Sequence, residues 1–400
     1  MKIACLMMQK NESKLLKPWL DYHSTIFGLN NIYVYDNGST DASCIETLRS
    51  YESKGLNVNW DHKTQKDFEK TGSIFCEKIK QFDNSDSPYD FYFPMDCDEF
   101  IAYERTFGDL LLDRNSIILE LKNHIDEKNT LAINAGYDNN PVFSDSYYRS
   151  KEQRKCFFYK KTCSSISQGF HIGKTFSGTE TKKTKIVYIH HHYKEFHDYQ
   201  FSAKQKLTGV VTDFSIASLE KYKELRVPGF HVIDKLLTTE ENYYRSHLDA
   251  FNIRKKDFYK LSFVSCFLKG LGININIPEH LKIKILLNKN IIGHIDSLAI
   301  LNDIVELKGW ALSAKDQVID SIYIYGDNNT SLSLFKIKRY NRPDVLNSFP
   351  GSNLKSGIKA EFPLSEEVNA VLKSKNISIL VGTENSYSKL NFNGVIHIST

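Results

Sequence analysis

Apolar and polar positions in the first hundred residues fall into two alternating rhythms. Four continuous apolar runs, IACLMM (3–8), NIYVY (31–35), LNVNW (56–60) and DFYFPM (90–95), have the length of strands buried on both faces. Between the first two, ESKLLKPWLDYHSTIFG sets Leu15, Leu16, Trp19, Leu20, His23, Ile26 and Phe27 at helical spacing and stops at Gly28. STDASCIETLRSYESKG opens on an N-cap candidate, Ser39, Thr40 or Asp41, and closes at Gly55. SIFCEKIKQF (73–82) reads as a third helix. The order βαβαβαβ predicts a parallel, doubly wound α/β sheet.

Beyond residue 105 the pattern becomes mixed, and YIHHHYKEF (188–196) reads as a strand running into a polar turn. From 201 to 285 helical patterns dominate, in SAKQKLTGVV, SIASLEKYKEL and the long stretch TEENYYRSHLDAFNIRKKDFYKLSFVSCFLKG. After about residue 290 short strands alternate with turn signals such as GDNN and FPGS, the spacing of a small β-sandwich. The expected domains are 1–230, a helical connector over 231–290, and a β-sandwich over 291–400.

With 400 residues, 41% apolar and 25% charged, the chain has an ordinary globular balance and enough length for more than one core. A net charge of +4 without a basic arm excludes nucleic acid as the expected partner. Seven scattered cysteines with no CxxC pair argue against a disulfide framework or a zinc cluster and for a reducing cytoplasm. MKIACLMMQKNE is too short in apolar residues for a signal peptide and reads as a first strand. No run approaches the length of a membrane span. FVSCFLKGLG and HLKIKILLNK carry lysines among apolar residues; they fit core helices or a peripheral contact with a membrane surface.

The candidate chemistry sits where strands end. Doubly wound sheets bind ligands beyond the carboxyl ends of their strands. QKNE (9–12), DNGSTD (36–41) and PMDCDEF (94–100) each follow such a strand, so three polar clusters converge on one rim. Asp96, Asp98 and Glu99 place three acids within four positions. Solvent-facing acids at a strand end explain an isolated pair, but crowded carboxylates need a cation or tight hydrogen bonds. Magnesium or manganese suits hard oxygen ligands, and such an ion bridges to a diphosphate. Ser39 to Asp41 fit a helix cap; Asp36 and Glu12 stand at strand ends, where a carboxylate accepts hydrogen bonds from a nucleobase or ribose.

Taken together these residues resemble the GT-A glycosyltransferases, in their family-2-like and family-92-like branch. KNESKLLKPWLDYHSTIFGLNNIYVYDNGSTD is similar to that branch's opening, (R/K)NE…W…YH…G…YDN-S-D, and PMDCDEF resembles its D-x-DEF. GFHIGK and HHHYKEFHDYQFSAKQKLTG resemble its later G-x-H and HY…F…K…G segments, so the likeness spans roughly 1–210. The resemblance implies a Rossmann-like nucleotide-sugar-binding domain and a nucleotide-sugar donor, usually a UDP-sugar. Asn11, Glu12 and Asp36 would hold the nucleoside. Asp96 and Asp98 would serve ribose, metal and diphosphate. A later histidine, His192 from the HY match or His171 from GFH, would complete the metal shell. A strand places His190 and His192 on one face and His191 on the other.

A base for an acceptor hydroxyl is sought in Asp138 or Asp145, which otherwise read as loop acids; LAINAGYDNN (131–140) departs from the family pattern before them. Lys204 would neutralise diphosphate charge, or stand as a solvated helix lysine. The segment from 293 resembles the β-sandwich appended to bacterial glycan-synthesis enzymes. The expected partners are the donor and an oligosaccharide or lipid-linked glycan acceptor. A nucleotidyltransferase needs a glycine-rich loop that MQKNES lacks; a catalytically inactive glycan-binding protein is the other alternative.

Overall fold

A computed structural model describes the chain except residues 151–154, 209, 227–228, 279–280, 282–284, 286–290, 314–318, 327–330, 335–336, 351, 353, 374–376, 384–385, 391–395 and 399–400. It forms two units, Met1–Thr238 with Asp249–Asn276, and Thr239–Leu248 with Ile277–Thr400.

The first unit begins with β1 (Ile3–Gln9), α1 (Ser13–Phe27), β2 (Ile32–Asp36), α2 (Ala42–Glu52), β3 (Asn57–Asn59), α3 (Gln65–Glu69), α4 (Thr71–Asp83) and β4 (Phe91–Met95). It continues with β5 (Glu99–Thr106), β6 (Asp109–Leu111), α5 (Arg114–Lys122), β7 (Thr130–Ile133), β8 (Gly136–Asn139) and β9 (Ser146–Ser150). Then come β10 (Lys155–Tyr159), β11 (Cys163–Ile166), β12 (Gly173–Thr175), β13 (Thr181–Lys183) and β14 (Ile186–His190). Helices α6 (Phe196–Leu207), α7 (Ile216–Glu224) and α8 (Phe230–Leu237) precede α9 (Glu240–Ile253), which belongs to the second unit up to Leu248; β15 (Phe258–Lys260) and α10 (Ser262–Gly270) follow in the first unit.

The four predicted parallel strands form one side of a seven-stranded sheet ordered β13-β7-β10-β4-β1-β2-β3, with β3 at its edge. β1 pairs parallel with β2 and β4, and β2 with β3. β1 is buried throughout because its two faces serve two cores: Ile3, Cys5 and Met7 pack with α1 and α2, while Ala4, Leu6 and Met8 pack with Phe75, Cys76 and Ile79 of α4. The sheet is mixed rather than wholly parallel, because β10 inserts antiparallel between β4 and β7. A second sheet, β15-β9-β8-β14-β5-β6, follows directly from the acid cluster.

The continuous helical pattern expected over 239–270 is interrupted by β15. Phe258 and Tyr259 pair with Tyr148 and Tyr147 of β9, and Phe258 packs 4.9 Å from Phe251. Aromatic cross-strand packing there overrides local helix preference. α10, from the lysine-bearing FVSCFLKGLG, buries Val264 and Leu268 in the core and exposes Phe263. Most of HLKIKILLNK lies outside the described residues. Among the described residues no helix is long and apolar enough to cross a membrane.

The second unit contains two sheets. One runs Lys338–Tyr340, Gly357–Pro363, Ile304–Ser313, Ile291–Leu301, Ile396–Ile398; the other Ser331–Leu334, Ser321–Gly326, Ile377–Thr383, Ser386–Leu390. Ile295, Leu298 and Leu307 of the first share one core with Ile322, Ile379 and Val381 of the second. Trp310 is half-buried, its ring 5.5 Å from Phe349. Arg342 pairs with both oxygens of Asp344, at 2.9 and 2.6 Å, and with Asp296.

Candidate functional site

β1, β2 and β4 run in the same direction, and Gln9 stands beside Asp36 in register, so the three predicted polar clusters share one rim. Two of them stitch the rim together. Asp36 is buried; its Oδ1 accepts from Gln9 Nε2 (2.6 Å) and Ser39 Oγ (2.6 Å), and its Oδ2 from Ser39 N (2.9 Å). Asn11 Oδ1 accepts from the backbone of Thr40 (2.7 Å) and Asp41 (2.9 Å). Asp41 caps α2 through Ser43 N and Cys44 N. Glu12 starts α1 with its carbonyl, and its carboxylate accepts from Lys194 Nζ at 2.7 Å.

The acid cluster is a tight turn between β4 and β5. Asp96 N donates to Glu99 Oε2 (3.0 Å), and Glu99 N donates to the Asp96 carbonyl (3.2 Å). Cys97 is buried between them. Lys155, at the start of β10 and only 4% exposed, ion-pairs with Asp96 and lies 3.1 Å from Glu99 Oε1. Burial pushes the Glu99 carboxyl up to about 7 despite that ammonium, because Asp96 and Asp98 add negative charge.

Asp98 turns to other partners. β14 lies between β5 and β8, which aligns His190 with Glu99 on one side and Asp138 on the other. His190 Nδ1 is 2.8 Å from Asp138 Oδ1, and its Nε2 is 3.6 Å from Asp98 Oδ2. The ring of His192 lies 4.9 Å from that of His190. Asp98, His190 and His192 each offer a ligand atom within 4.8 Å of the others. Burial alone would raise the Asp98 carboxyl, yet His190, His192 and Lys194 hold it well below the usual range. Burial lowers His190, but Asp98 and Asp138 outweigh it and push the imidazole up to about 10. His192 is pushed down to about 4, by burial first and by the His190 charge second. His191 is likewise lowered to about 4 by burial; its backbone N donates to the Asp98 carbonyl at 2.7 Å.

Helix α1 braces the turn from behind. Trp19 Nε1 donates to the Glu99 carbonyl (2.9 Å), Tyr22 OH to the Ile101 carbonyl (2.5 Å), and His23 Nε2 accepts from Ile101 N (3.4 Å). The W…YH spacing is therefore a clamp on the backbone of Glu99 and Ile101.

The candidate metal set Asp96, Asp98, His192 and His171 is thus divided. Asp98 and His192 meet, with His190 as the third member. Asp96 faces Lys155. His171 is exposed and lines a 140 Å³ cavity with Lys155. Of the two candidate bases, Asp138 is buried against His190, whereas Asp145 faces Ser262 (3.3 Å) and Lys260 (3.6 Å). Lys204 is exposed on α6, its ammonium 5.0 Å over the Phe214 ring. Lys194 and Lys155 are the cations next to the acids, and neither was among the sequence candidates. The i, i+2 spacing of His190 and His192 was the one local signal for the triad.

No protein-family model matches the chain, and no curated protein is significantly similar to it in sequence. Among solved structures it is similar to a crystal structure of S. aureus TarS 1-349 in complex with UDP, at 17% identity and TM-score 0.23 over 35% of each chain. A second structure of S. aureus TarS 1-349 is 11% identical with TM-score 0.28, covering 64% of this chain and 75% of that one. The chain thus spans about a third of the first of these structures. At these TM-scores the likeness is too slight to assign any residue of the site by analogy.

Proposed function

We propose that the first unit is a metal-dependent GT-A-type glycosyltransferase of the EC 2.4 class. It moves a sugar from a nucleotide-diphosphate donor, a UDP-sugar, to a bacterial surface glycan such as capsule or lipopolysaccharide, at the inner face of the cytoplasmic membrane. The second unit is its accessory β-sandwich.

The observation that carries this reading is the Asp98–His190–His192 group, with Asp98 just past the carboxyl end of parallel strand β4 and the histidines at the end of β14. The donors fit a divalent ion. His190 Nδ1 is engaged by Asp138, which leaves Nε2 for coordination, the carboxylate–histidine arrangement of metal sites. His192 is held neutral, the ligating form. Two imidazoles and one carboxylate are softer than the all-oxygen shell magnesium prefers, so manganese is the expected ion over magnesium.

A bound divalent ion would offset the charge of a departing diphosphate. Lys194, tied to Glu12, adds positive charge beside Asp98. Asp138 orients His190. Asp36 and Asn11 fix the shape of the rim loops on which a nucleoside would rest.

The test is a donor-hydrolysis panel of UDP-, GDP-, CMP- and dTDP-sugars with manganese or magnesium, comparing wild type with Asp98→Ala and His190→Ala. Release of nucleotide from one donor, abolished by chelator and by both substitutions, is the expected result. No release from any donor, with no donor-induced rise in melting temperature, would overturn the reading in favour of a glycan-binding protein.

A further inference from the structure

Cys266 on α10 is exposed, and the other six cysteines are buried. Two of the buried ones, 87 residues apart in the chain, meet. Cys76 lies on the buried side of α4 and Cys163 opens β11, both in the core that also holds Phe75, Phe158 and Phe170. The Cys163 thiol donates to Cys76 Sγ with the sulfurs 3.7 Å apart, and Cys76 donates to the Ser164 carbonyl at 3.2 Å.

The contact is held on both sides. Phe75 stacks on Phe170, just beyond β11, with ring centroids 5.3 Å apart. Gly72, one turn before Cys76 on α4, lies so close to the end of β11 that a Cβ there would stand 2.4 Å from the Ile166 carbonyl oxygen and 2.7 Å from that of Ser167. Helix and strand are pressed together backbone to backbone, so the thiols cannot part without moving one of them. Core packing explains a single buried thiol, because cysteine there behaves as a small apolar residue. Two thiols in hydrogen-bond contact beside a cation are a different chemistry. The Cys163 hydrogen bond and the Lys80 ammonium, one turn further along α4, lower the Cys76 thiol against the effect of burial. The same bond and burial raise Cys163, so one sulfur is suited to attack and the other keeps its proton.

We infer that Cys76 and Cys163 are a redox modification site, which closes to a reversible disulfide when the protein meets hydrogen peroxide. The Cys76 thiolate attacks one peroxide oxygen; the O–O bond breaks, hydroxide leaves and takes up the proton Cys76 gave, and a sulfenic acid forms. The Cys163 sulfur then attacks the Cys76 sulfur; the S–O bond breaks and the hydroxyl leaves with the Cys163 proton as water. Two thiols and one peroxide thus become one disulfide and two waters. A thiol reductant reverses the step by exchange, so in a reducing compartment the pair rests as thiols. The bond would tie α4 to β11 beside Phe170, whose ring centroid lies 5.0 Å from the Lys155 ammonium that neutralises Glu99. It uses no residue of the Asp98–His190–His192 group and does not depend on the nucleotide-sugar reading.

The full chain, folded and well below its melting temperature, is treated with hydrogen peroxide, quenched with catalase, alkylated in denaturant and mapped by non-reducing peptide mass spectrometry. The expected product is a peptide pair joined through Cys76 and Cys163, two hydrogens lighter than the dithiol and lost on adding dithiothreitol. Cys266→Ser should give the same cross-link in the same yield. Cys163→Ala should lose it completely and leave Cys76 as a sulfenic acid that dimedone traps. The wild-type map decides by itself should Cys163→Ala fail to fold. Recovery of Cys76 and Cys163 as alkylated thiols while Cys266 is oxidised would overturn the inference. So would a cross-link from either cysteine to Cys156 instead, or one that forms only after unfolding in urea.

Discussion

His23 offers the sharpest link between fold and site. Its ring is fully buried on α1, stacked 5.7 Å from Phe27 and 5.8 Å from Phe100, with Nδ1 2.9 Å from the Trp19 carbonyl. Burial pushes its imidazole from 6.5 down to about 3, against the Trp19 carbonyl, which raises it. The folded state therefore holds it neutral, while the unfolded chain binds a proton below 6.5. The stability it contributes is fully present above 6.5 and is lost as pH falls toward the folded value. Each pH unit below 6.5 removes about 1.4 kcal/mol, so roughly 2 kcal/mol is gone by about pH 5. That is a sizeable part of a typical net stability of about 5–15 kcal/mol. His23→Phe should cost about 1–3 kcal/mol at neutral pH, because it abandons the hydrogen bonds to Ile101 and Trp19. It should also remove the share of the acid sensitivity that His23 contributes. Urea unfolding at neutral and acid pH, read by hydrogen exchange over the α1 segment, would show the gap between wild type and variant shrinking by about 2 kcal/mol toward about pH 5. Equal losses in both proteins, or a His23 NMR titration near 6.5, would refute the argument.

Three further outcomes are expected. Lys155→Met strands the 1%-exposed Glu99 beside Asp96 and should destabilise the first unit by about 3–5 kcal/mol in thermal melts, partly restored by adding Glu99→Gln. Arg149 and Glu104, each 6% exposed, are joined by two hydrogen bonds of 2.8 and 2.7 Å. Arg149→Met should therefore cost about 3–5 kcal/mol, and a double-mutant cycle with Glu104→Gln should recover much of it; a strictly additive cycle would count against the pair. Asp41→Ala removes the cap of α2 and should cost about 1 kcal/mol in the same melts, with little change expected for Ser43→Ala.

The parallel side of the first sheet was legible because each element there carries its own signal: a continuous apolar run, a helical stripe, a cap, and a short connection to the next strand. β10 carried no such signal for its place. It enters antiparallel beside β4, and only that pairing sets Lys155 against Asp96, 59 residues away. His190 reaches Asp138 across 52 residues through the register of β14 with β8. Local pattern locates strand ends well but is silent about which distant side chain arrives there. Asp36 shows the same limit from the other side. Its position at a strand end was readable, but the use of both its oxygens by Gln9 and Ser39 depends on the meeting of two loops.

Three acids in four positions ought to repel one another, and the turn resolves this by giving them different cations. Burial of Cys97 in the middle holds the two aspartates to opposite partners. Asp96 and Glu99 share Lys155, an ammonium held by two acids and 4% exposed; removing it would leave the buried Glu99 without its cation. Asp98 instead faces His190 and His192, whose ring nitrogens lie close enough to its carboxylate to share an ion with it. A buried ion pair and a candidate ion site thus stand a few residues apart. The α1 clamp through Trp19, Tyr22 and His23 fixes the backbone of Glu99 and Ile101 behind them. If the clamp is what holds Asp98 to its imidazoles, Trp19→Phe, which keeps the ring packing but deletes the 2.9 Å bond to Glu99, should weaken manganese binding more than it lowers the melting temperature. Equal manganese affinity in wild type and variant would mean that β14 alone positions the site.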